Sequence, residues 1–309
     1  MNEPALSVVV PVYNSCATLP DLVRRVEASL TEDGIGYELV LVNDGSADDS
    51  WSQIVELAAA NPCVHGIDLA RNYGQHNALL AGIRAARGST IVTLDDDLQN
   101  PPEEIPRLLA KLAEGNDVVY GTAAERHQGI LRKLGTNLTR TALRLVIGGD
   151  IARDVSAYRA FRTELRRAFA DYSGAYVSID VLLSWGTSRF ASVPVAHSAR
   201  TEGRSGYGFL RLATHALNIL TGFSTRPLRA ASLLGIVFML FGLGVFCYVI
   251  VRWLIGGALV GFTFLASTIS IFSGVQLLTL GVIGEYLARM HIRIMDRPPY
   301  AIHSETATR

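Results

Sequence analysis

The sequence predicts an α/β domain built on a mostly parallel sheet, followed by two membrane-spanning helices. Three observations predict it. From Leu6 to Gly121, short β-branched apolar runs alternate with stretches of helical spacing. Each run stops at a polar loop rich in Asn, Asp or Gly. Near the other end, two long stretches carry no charge.

The elements follow in order. Leu6 to Val12 is a continuous apolar run that ends at Pro11-Val12-Tyr13-Asn14, and Leu19, Leu22, Val23, Val26 and Leu30 then mark one helical face. Tyr37 to Val42 reads as a second buried strand, stopped by Asn43-Asp44-Gly45-Ser46. Trp51, Ile54, Val55 and Ala58 form the apolar face of the next helix. Val64 to Leu69 is a third strand, and Leu79, Leu80 and Ile83 lie on the helix after it. Ser89 to Leu94 is a fourth strand and Val118 to Gly121 a fifth. Strands that alternate with helices pair in parallel through right-handed crossovers, so the loops after them share one rim.

That rim collects chemistry. Asp95-Asp96-Asp97 follows the fourth strand directly, and Pro101-Pro102-Glu103-Glu104 opens a helix after it. Open α/β sheets bind ligands at the carboxyl ends of their strands. Three adjacent acids repel one another, which a hard divalent cation relieves, and Mg²⁺ takes one or two carboxylates plus phosphate oxygens. In an extended segment Asp95 and Asp97 point the same way, so they can share an ion while Asp96 faces elsewhere. Tyr13, Asn14, Asp44 and Arg71 lie on the same rim, an aromatic face and polar groups suited to a nucleotide. No glycine-rich dinucleotide fingerprint follows the first strand, and there is no phosphate-loop lysine motif.

Composition bounds the rest. The 309 residues carry 28 basic and 28 acidic side chains, so no overall charge points to nucleic acid. Cys16, Cys63 and Cys247 are far apart and form neither a disulfide framework nor a zinc spacing, as in a reducing compartment. The first residues run almost directly into a strand, with no basic-then-apolar leader. Leu131, Leu134, Leu138, Leu145 and Val146 suggest an amphipathic helix, either on an anionic membrane surface or packed on the sheet.

Ala230 to Val251 is uncharged, and its 22 residues reach about 33 Å, enough for a hydrocarbon core of about 30 Å. Arg252 and Gly256-Gly257 break it, and Ala258 to Gly284 is a second uncharged span. Arg226 and Arg229 precede the first span, Arg289, Arg293 and Arg297 follow the second, and only Arg252 lies between. The positive-inside bias therefore places both hairpin ends and the α/β domain in the cytoplasm. Glu285 is spaced to pair with Arg289 at i,i+4.

Four motifs in order carry a resemblance: Pro11-Val12-Tyr13-Asn14, Asn43-Asp44-Gly45-Ser46, Arg71-Asn72-Tyr73-Gly74-Gln75-His76, and Asp95 through Glu104. Together they resemble the inverting family 2 glycosyltransferases of GT-A fold, in their polyprenyl-phosphate branch. The resemblance implies a Rossmann-like GT-A catalytic domain at 1–205, a juxtamembrane amphipathic helix at 206–229, two transmembrane helices at 230–287 and a cytoplasmic tail at 288–309. It implies transfer of a sugar from a nucleotide-diphosphate donor to a membrane polyprenyl phosphate, undecaprenyl phosphate in a bacterial host, for envelope glycan or lipid modification.

The resemblance also assigns residues. Pro11, Tyr13, Asn14, Asp44, Arg71, Asp95 and Asp96 contact the nucleotide sugar. Asp95, Asp97 and Gln99 hold Mg²⁺ or Mn²⁺. Asp97, Asp154 and Arg159 are the catalytic set, Asp154 positioning the acceptor first and acting as base second. Arg126, Arg159, Arg200 and Arg204 hold the acceptor phosphate. A homotetramer in the cytoplasmic (inner) membrane, with both termini cytoplasmic, is implied. Two other readings stand beside it: a processive polysaccharide synthase, though the chain has no Gln-x-x-Arg-Trp string, and a non-catalytic scaffold that binds nucleotide sugar.

Overall fold

The computed structural model describes residues 4–123, 141, 143–146, 154–174, 176–196, 217–255 and 261–306. The chain divides into two compact units, Met1–Ala216 with Asp296–Arg309, and Leu217–Met295.

The first unit is an α/β domain on an eight-stranded sheet in the order β7-β5-β6-β4-β1-β2-β3-β8. The strands are β1 (Leu6–Val12), β2 (Tyr37–Asn43), β3 (Val64–Leu69), β4 (Thr90–Thr93), β5 (Val118–Ala123), β6 (Arg159–Arg162), β7 (Phe190–Val195) and β8 (Ile302–Glu305). The central strands β4, β1, β2 and β3 pair in parallel. β6 runs antiparallel between β4 and β5, and β8 closes the β3 edge antiparallel. The helices are α1 (Leu19–Glu32), α2 (Ser50–Ala60), α3 (Gln75–Ala85), α4 (Ile105–Ala113) and α5 (Ile179–Gly186).

β1 is buried along its whole length, as a continuous apolar run requires of a central parallel strand. The five residues expected to form the α1 face are the five it buries. On α2 the apolar spacing is met only in part: Ile54 is buried, whereas Val55 is exposed. A 3-10 turn, Pro102–Glu104, leads into α4, whose buried Ile105, Leu108 and Leu112 share one face. The core lies between α1, α4 and the sheet. β6, β7 and β8 were not among the strands expected from the sequence. Residues 302–305, expected in a tail, form the last strand instead. Gly66 and Thr306 exchange hydrogen bonds on that edge, Gly66 N donating to Thr306 Oγ1 and Thr306 N to Gly66 O.

The second unit contains α6 (Arg226–Leu254) and α7 (Phe262–Ile294). By length and composition, Arg226–Val251 and Ile271–Ile294 can each cross a membrane. Phe272 of α7 packs against Phe238 and Phe241 of α6. A Cβ at Gly242 would sit 2.8 Å from the Phe272 ring, so the small residue makes room for that ring. Glu285 accepts from Arg289 Nε at 2.9 Å, as the i,i+4 spacing predicted, and Arg289 also reaches Asn218. The amphipathic helix expected near 131–146 falls mostly outside the described residues.

Candidate active site

Because β1 to β4 are parallel, their carboxyl ends bring four loops to one rim, at 13–18, 44–49, 70–74 and 94–101. Asn43 at the end of β2 donates to Asp68 of β3 at 2.7 Å and so joins two of the strand ends. Gly45 decides how close the second and third loops come. Its φ is +63°, and a Cβ there would lie 2.4 Å from Asn72 N. No other residue combines that backbone with that approach.

The acid segment continues β4, with Leu94 N donating to Val9 O at 3.1 Å. Beyond it the three carboxylates part. Asp95 Oδ1 accepts from Gln75 Nε2 at 2.7 Å. Asp96 Oδ2 turns to the first loop, where it accepts from Tyr13 N at 3.0 Å and Ser15 Oγ at 2.5 Å. Asp97 Oδ1 accepts from Gln99 N at 3.1 Å, an Asx turn that shapes its own loop. The next residue, Leu98, holds φ at +57° although it is not glycine, and so does Asn14 at +53°. Such backbone costs roughly 1–3 kcal/mol and persists only where the surroundings over-determine it.

Electrostatics single out Asp95. Burial pushes its carboxyl up to about 7, and Asp97 and Asp96 push the same way, while Arg159 and the Gln75 bond oppose them. Burial also raises Asp96, against its bonds from Ser15 and Tyr13. Among the described residues, no group of three or more His, Cys, Asp or Glu is arranged to hold a metal by itself. Asp95 and Asp97, with Gln99 beside them, offer hard oxygen donors and mutual repulsion. Such a pair suits a divalent cation that takes its other oxygens from a ligand.

The residues expected to meet a nucleotide fall into two groups. Tyr13, half exposed at 51%, together with Asn14 and Arg71, presents to solvent. Arg71 stacks its guanidinium over Tyr73 at 4.6 Å. Asn14 bridges loops: its N–H donates to Ser46 Oγ and its side-chain oxygen accepts from Ala47 N at 2.8 Å. Pro11 and Asp44 are buried instead. The Asp44 carboxylate accepts from Tyr73 N at 2.7 Å and Gly74 N at 2.9 Å, so it braces the 70–74 loop. Asp96, through Tyr13 N and Ser15, braces the first loop in the same way. Asp44 is buried and Asp96 half-buried, and both shape the rim by holding its loops.

Arg159 differs most from its expected place. It was assigned to an acceptor phosphate, yet it is 1% exposed, and its Nη1 is paired with Asp180 Oδ1 at 2.5 Å. Tyr120 Oη donates to the same carboxylate oxygen at 3.0 Å. A guanidinium committed to a buried acid positions the segment before β6; it does not present itself to a ligand. Asp154, in that segment, is exposed and accepts from Ser192 Oγ at 2.7 Å. Arg126, Arg200 and Arg204 lie outside the described residues.

A family model described as "Glycosyl transferase family 2" matches residues 7–169, which include the rim loops and the acid segment. The chain belongs to glycosyl transferase family 2. It is a glycosyltransferase. Curated relatives match it along nearly its whole length. A protein of Shewanella sediminis named undecaprenyl-phosphate 4-deoxy-4-formamido-L-arabinose transferase is 39% identical over 97% of this chain and 92% of its own. One of the same name from Pseudomonas aeruginosa is 39% identical over 96% and 89%. Among solved structures, glucosyl-3-phosphoglycerate synthase from Mycobacterium tuberculosis, in complex with Mn²⁺, UDP and phosphoglyceric acid, shares the fold. Its TM-score is 0.51 at 20% identity, over 71% of this chain and 76% of that one. The GT-A architecture expected from the motifs is therefore the architecture of this family 2 domain.

Three residues of the rim escaped the sequence reading: Gln75, Ser15 and Asp180. Asp180 left a signal, a lone acid in the otherwise apolar start of α5. Gln75 stood within the third motif without an assigned role, and Ser15 left no signal, because their roles depend on loops that meet only in the fold.

Proposed function

We propose that this glycosyltransferase moves a single sugar from a nucleoside-diphosphate donor to a membrane polyprenyl phosphate, with inversion at the anomeric carbon. One observation carries the reading. The likeness to proteins named for undecaprenyl phosphate runs over 97% of the chain, the two apolar helices included. Undecaprenyl phosphate is the acceptor that those names indicate.

The residues divide the work. Tyr13, Asn14 and Arg71 receive the nucleotide, on loops held by Asp44 and Asp96. Asp95 and Asp97, with Gln99 beside them, would hold Mg²⁺ or Mn²⁺, which when bound would offset the charge that builds on the leaving diphosphate. The acceptor phosphate, with a second pKa near 6, is largely dianionic at neutral pH and needs little help from a base. An oxygen of that phosphate attacks the anomeric carbon, the bond to the diphosphate breaks, and the nucleoside diphosphate leaves with the electron pair. Asp154 positions the acceptor, with Arg126, Arg200 and Arg204 as its phosphate contacts. Arg159 acts through Asp180, fixing the segment that carries Asp154.

Chain on both sides of the helical pair belongs to one sheet, through β7 before it and β8 after it. This supports an even number of crossings, with both termini and the catalytic domain cytoplasmic. The division into a catalytic domain, a juxtamembrane helix, a hairpin and a tail, and assembly as a homotetramer, belong to the same proposal. The test is incubation of the purified full chain with a panel of nucleotide sugars, undecaprenyl phosphate and either cation. A lipid-linked single sugar from one donor is expected. A growing polymer, or no lipid-linked product with any donor, overturns the reading.

A further inference from the structure

The amino-end rim of the sheet, opposite the acids, holds a cleft of about 420 Å³. Arg87, Arg162, Arg166 and Arg167 line it, with Glu164 as its one acid. Gly88 and Ser89, just before β4, and Thr163 also line it. Six steps along the chain separate Ser89 from Asp95, roughly 20 Å if extended. The catalytic rim therefore does not reach it.

Three of the four arginines are anchored from behind. Arg87 Nε donates to buried Glu38 at 2.8 Å, and Glu38 also accepts from Arg87 N and from Ser7 Oγ. Arg162 lies 3.5 Å from the buried carboxylate of Asp117. Arg166 Nη1 donates to the carbonyls of Ile83, Arg84 and Ala86, where it caps the end of α3. Arg167 is exposed. The neutral polar groups of the lining are already used. Thr163 Oγ1 donates to Gly88 O, Ser89 Oγ to Ala5 O, and Gly88 N to Ser7 Oγ. The chemistry this cleft offers a ligand is thus that of guanidinium groups held in place by the fold. Their planar forks match phosphate oxygens, and anchoring reduces the ordering cost of binding.

We propose that this arginine cleft is a second anion site, which binds a phosphate-bearing ligand, either a soluble phosphate compound or a lipid headgroup. The proposal does not depend on the donor or acceptor of the transfer reaction.

The full chain in detergent, with EDTA present to silence the acid rim, is titrated calorimetrically with inorganic pyrophosphate. The comparison is wild type, R162Q/R167Q and D97N. Each lost guanidinium is expected to weaken binding by about tenfold, whereas D97N leaves it unchanged. Transfer activity of R162Q/R167Q stays at the wild-type rate. In a second arm, the chain is placed in nanodiscs of phosphatidylcholine with or without phosphatidylglycerol. If the ligand is a headgroup, phosphatidylglycerol raises the melting temperature of wild type and not of R162Q/R167Q. A response in the first arm assigns the site to a soluble phosphate. Should the double variant fail to fold, R167Q alone, at an exposed position, carries the comparison. Equal responses of wild type and variant to both probes overturn the proposal, as does loss of pyrophosphate binding in D97N.

Discussion

Two acids at each end of one sheet are treated in opposite ways. At the carboxyl rim, burial and like-charged neighbours push Asp95 up to about 7 and raise Asp96. At the amino rim Glu38 and Asp117 are held below their ordinary values. Burial alone would raise Glu38, but bonds from Ser7 and Arg87 outweigh it. Asp117 is likewise lowered against burial by Thr187, Arg189 and Arg162. Charges at one end are matched within the fold, and charges at the other are crowded together. Non-glycine residues with positive φ accompany that crowding at Asn14 and Leu98. Matched charge serves stability, and crowded charge is left for a ligand to match.

Four substitutions test that distinction, from the largest effect to the smallest. Asp180→Ala strips the matched charge beneath the catalytic rim and leaves Arg159 buried without its acid. A loss of about 3–5 kcal/mol is expected in thermal or denaturant unfolding. A change under 1 kcal/mol would mean that the pair is not matched as described. Asp97→Asn does the converse. It should lower transfer by about a hundredfold or more while leaving unfolding nearly unchanged or slightly later, since a repulsion is removed. Full activity with unchanged cation dependence would break the comparison.

Gly45→Ala separates geometry from charge. It forces a Cβ onto the 70–74 loop at positive φ and should cost about 2 kcal/mol, with a raised donor KM and a smaller change in kcat. Glu38→Gln gives the smallest effect, about 1–2 kcal/mol, because Arg87 is half exposed. Its pH signature is specific. The folded Glu38 lies below its ordinary value of 4.5, so its contribution is complete above that pH and is lost as pH falls through the lower folded value. The variant should therefore show a flatter acid limb in an unfolding series from pH 6 to 3.

Much of this was legible in the chain. β1 and β3 fell within the expected bounds, β1 as a nearly continuous apolar run and β3 although His65 and Asp68 interrupt its apolar residues. Asp95 and Asp96 do take different partners, but the chain turns at Asp96-Asp97 and does not continue as the extended segment that alternation assumes. Other features were not legible, for physical reasons. β6 is four residues long with an arginine at each end, β7 carries a proline, and the edge strand β8 is mostly polar. None has a period of its own, and each is a strand only because a neighbour offers a ladder. Arg159 reads as a ligand group beside a motif. Its partner Asp180 lies in another element, so its burial follows from the fold alone. Val55 fits the α2 spacing but meets no neighbour to cover it.

β8 has a further consequence for how the protein is made. It is translated after both apolar helices, yet it pairs with β3, which is translated before them. Every residue of the two apolar helices is synthesised between β7 and that final strand. The outer edge of β3 therefore stays open throughout the period in which the helices emerge, and it is sealed only after they have been translated. Assembly of the catalytic sheet thus finishes after the apolar segments are out, so a chain truncated within the hairpin carries an unsealed β3 edge.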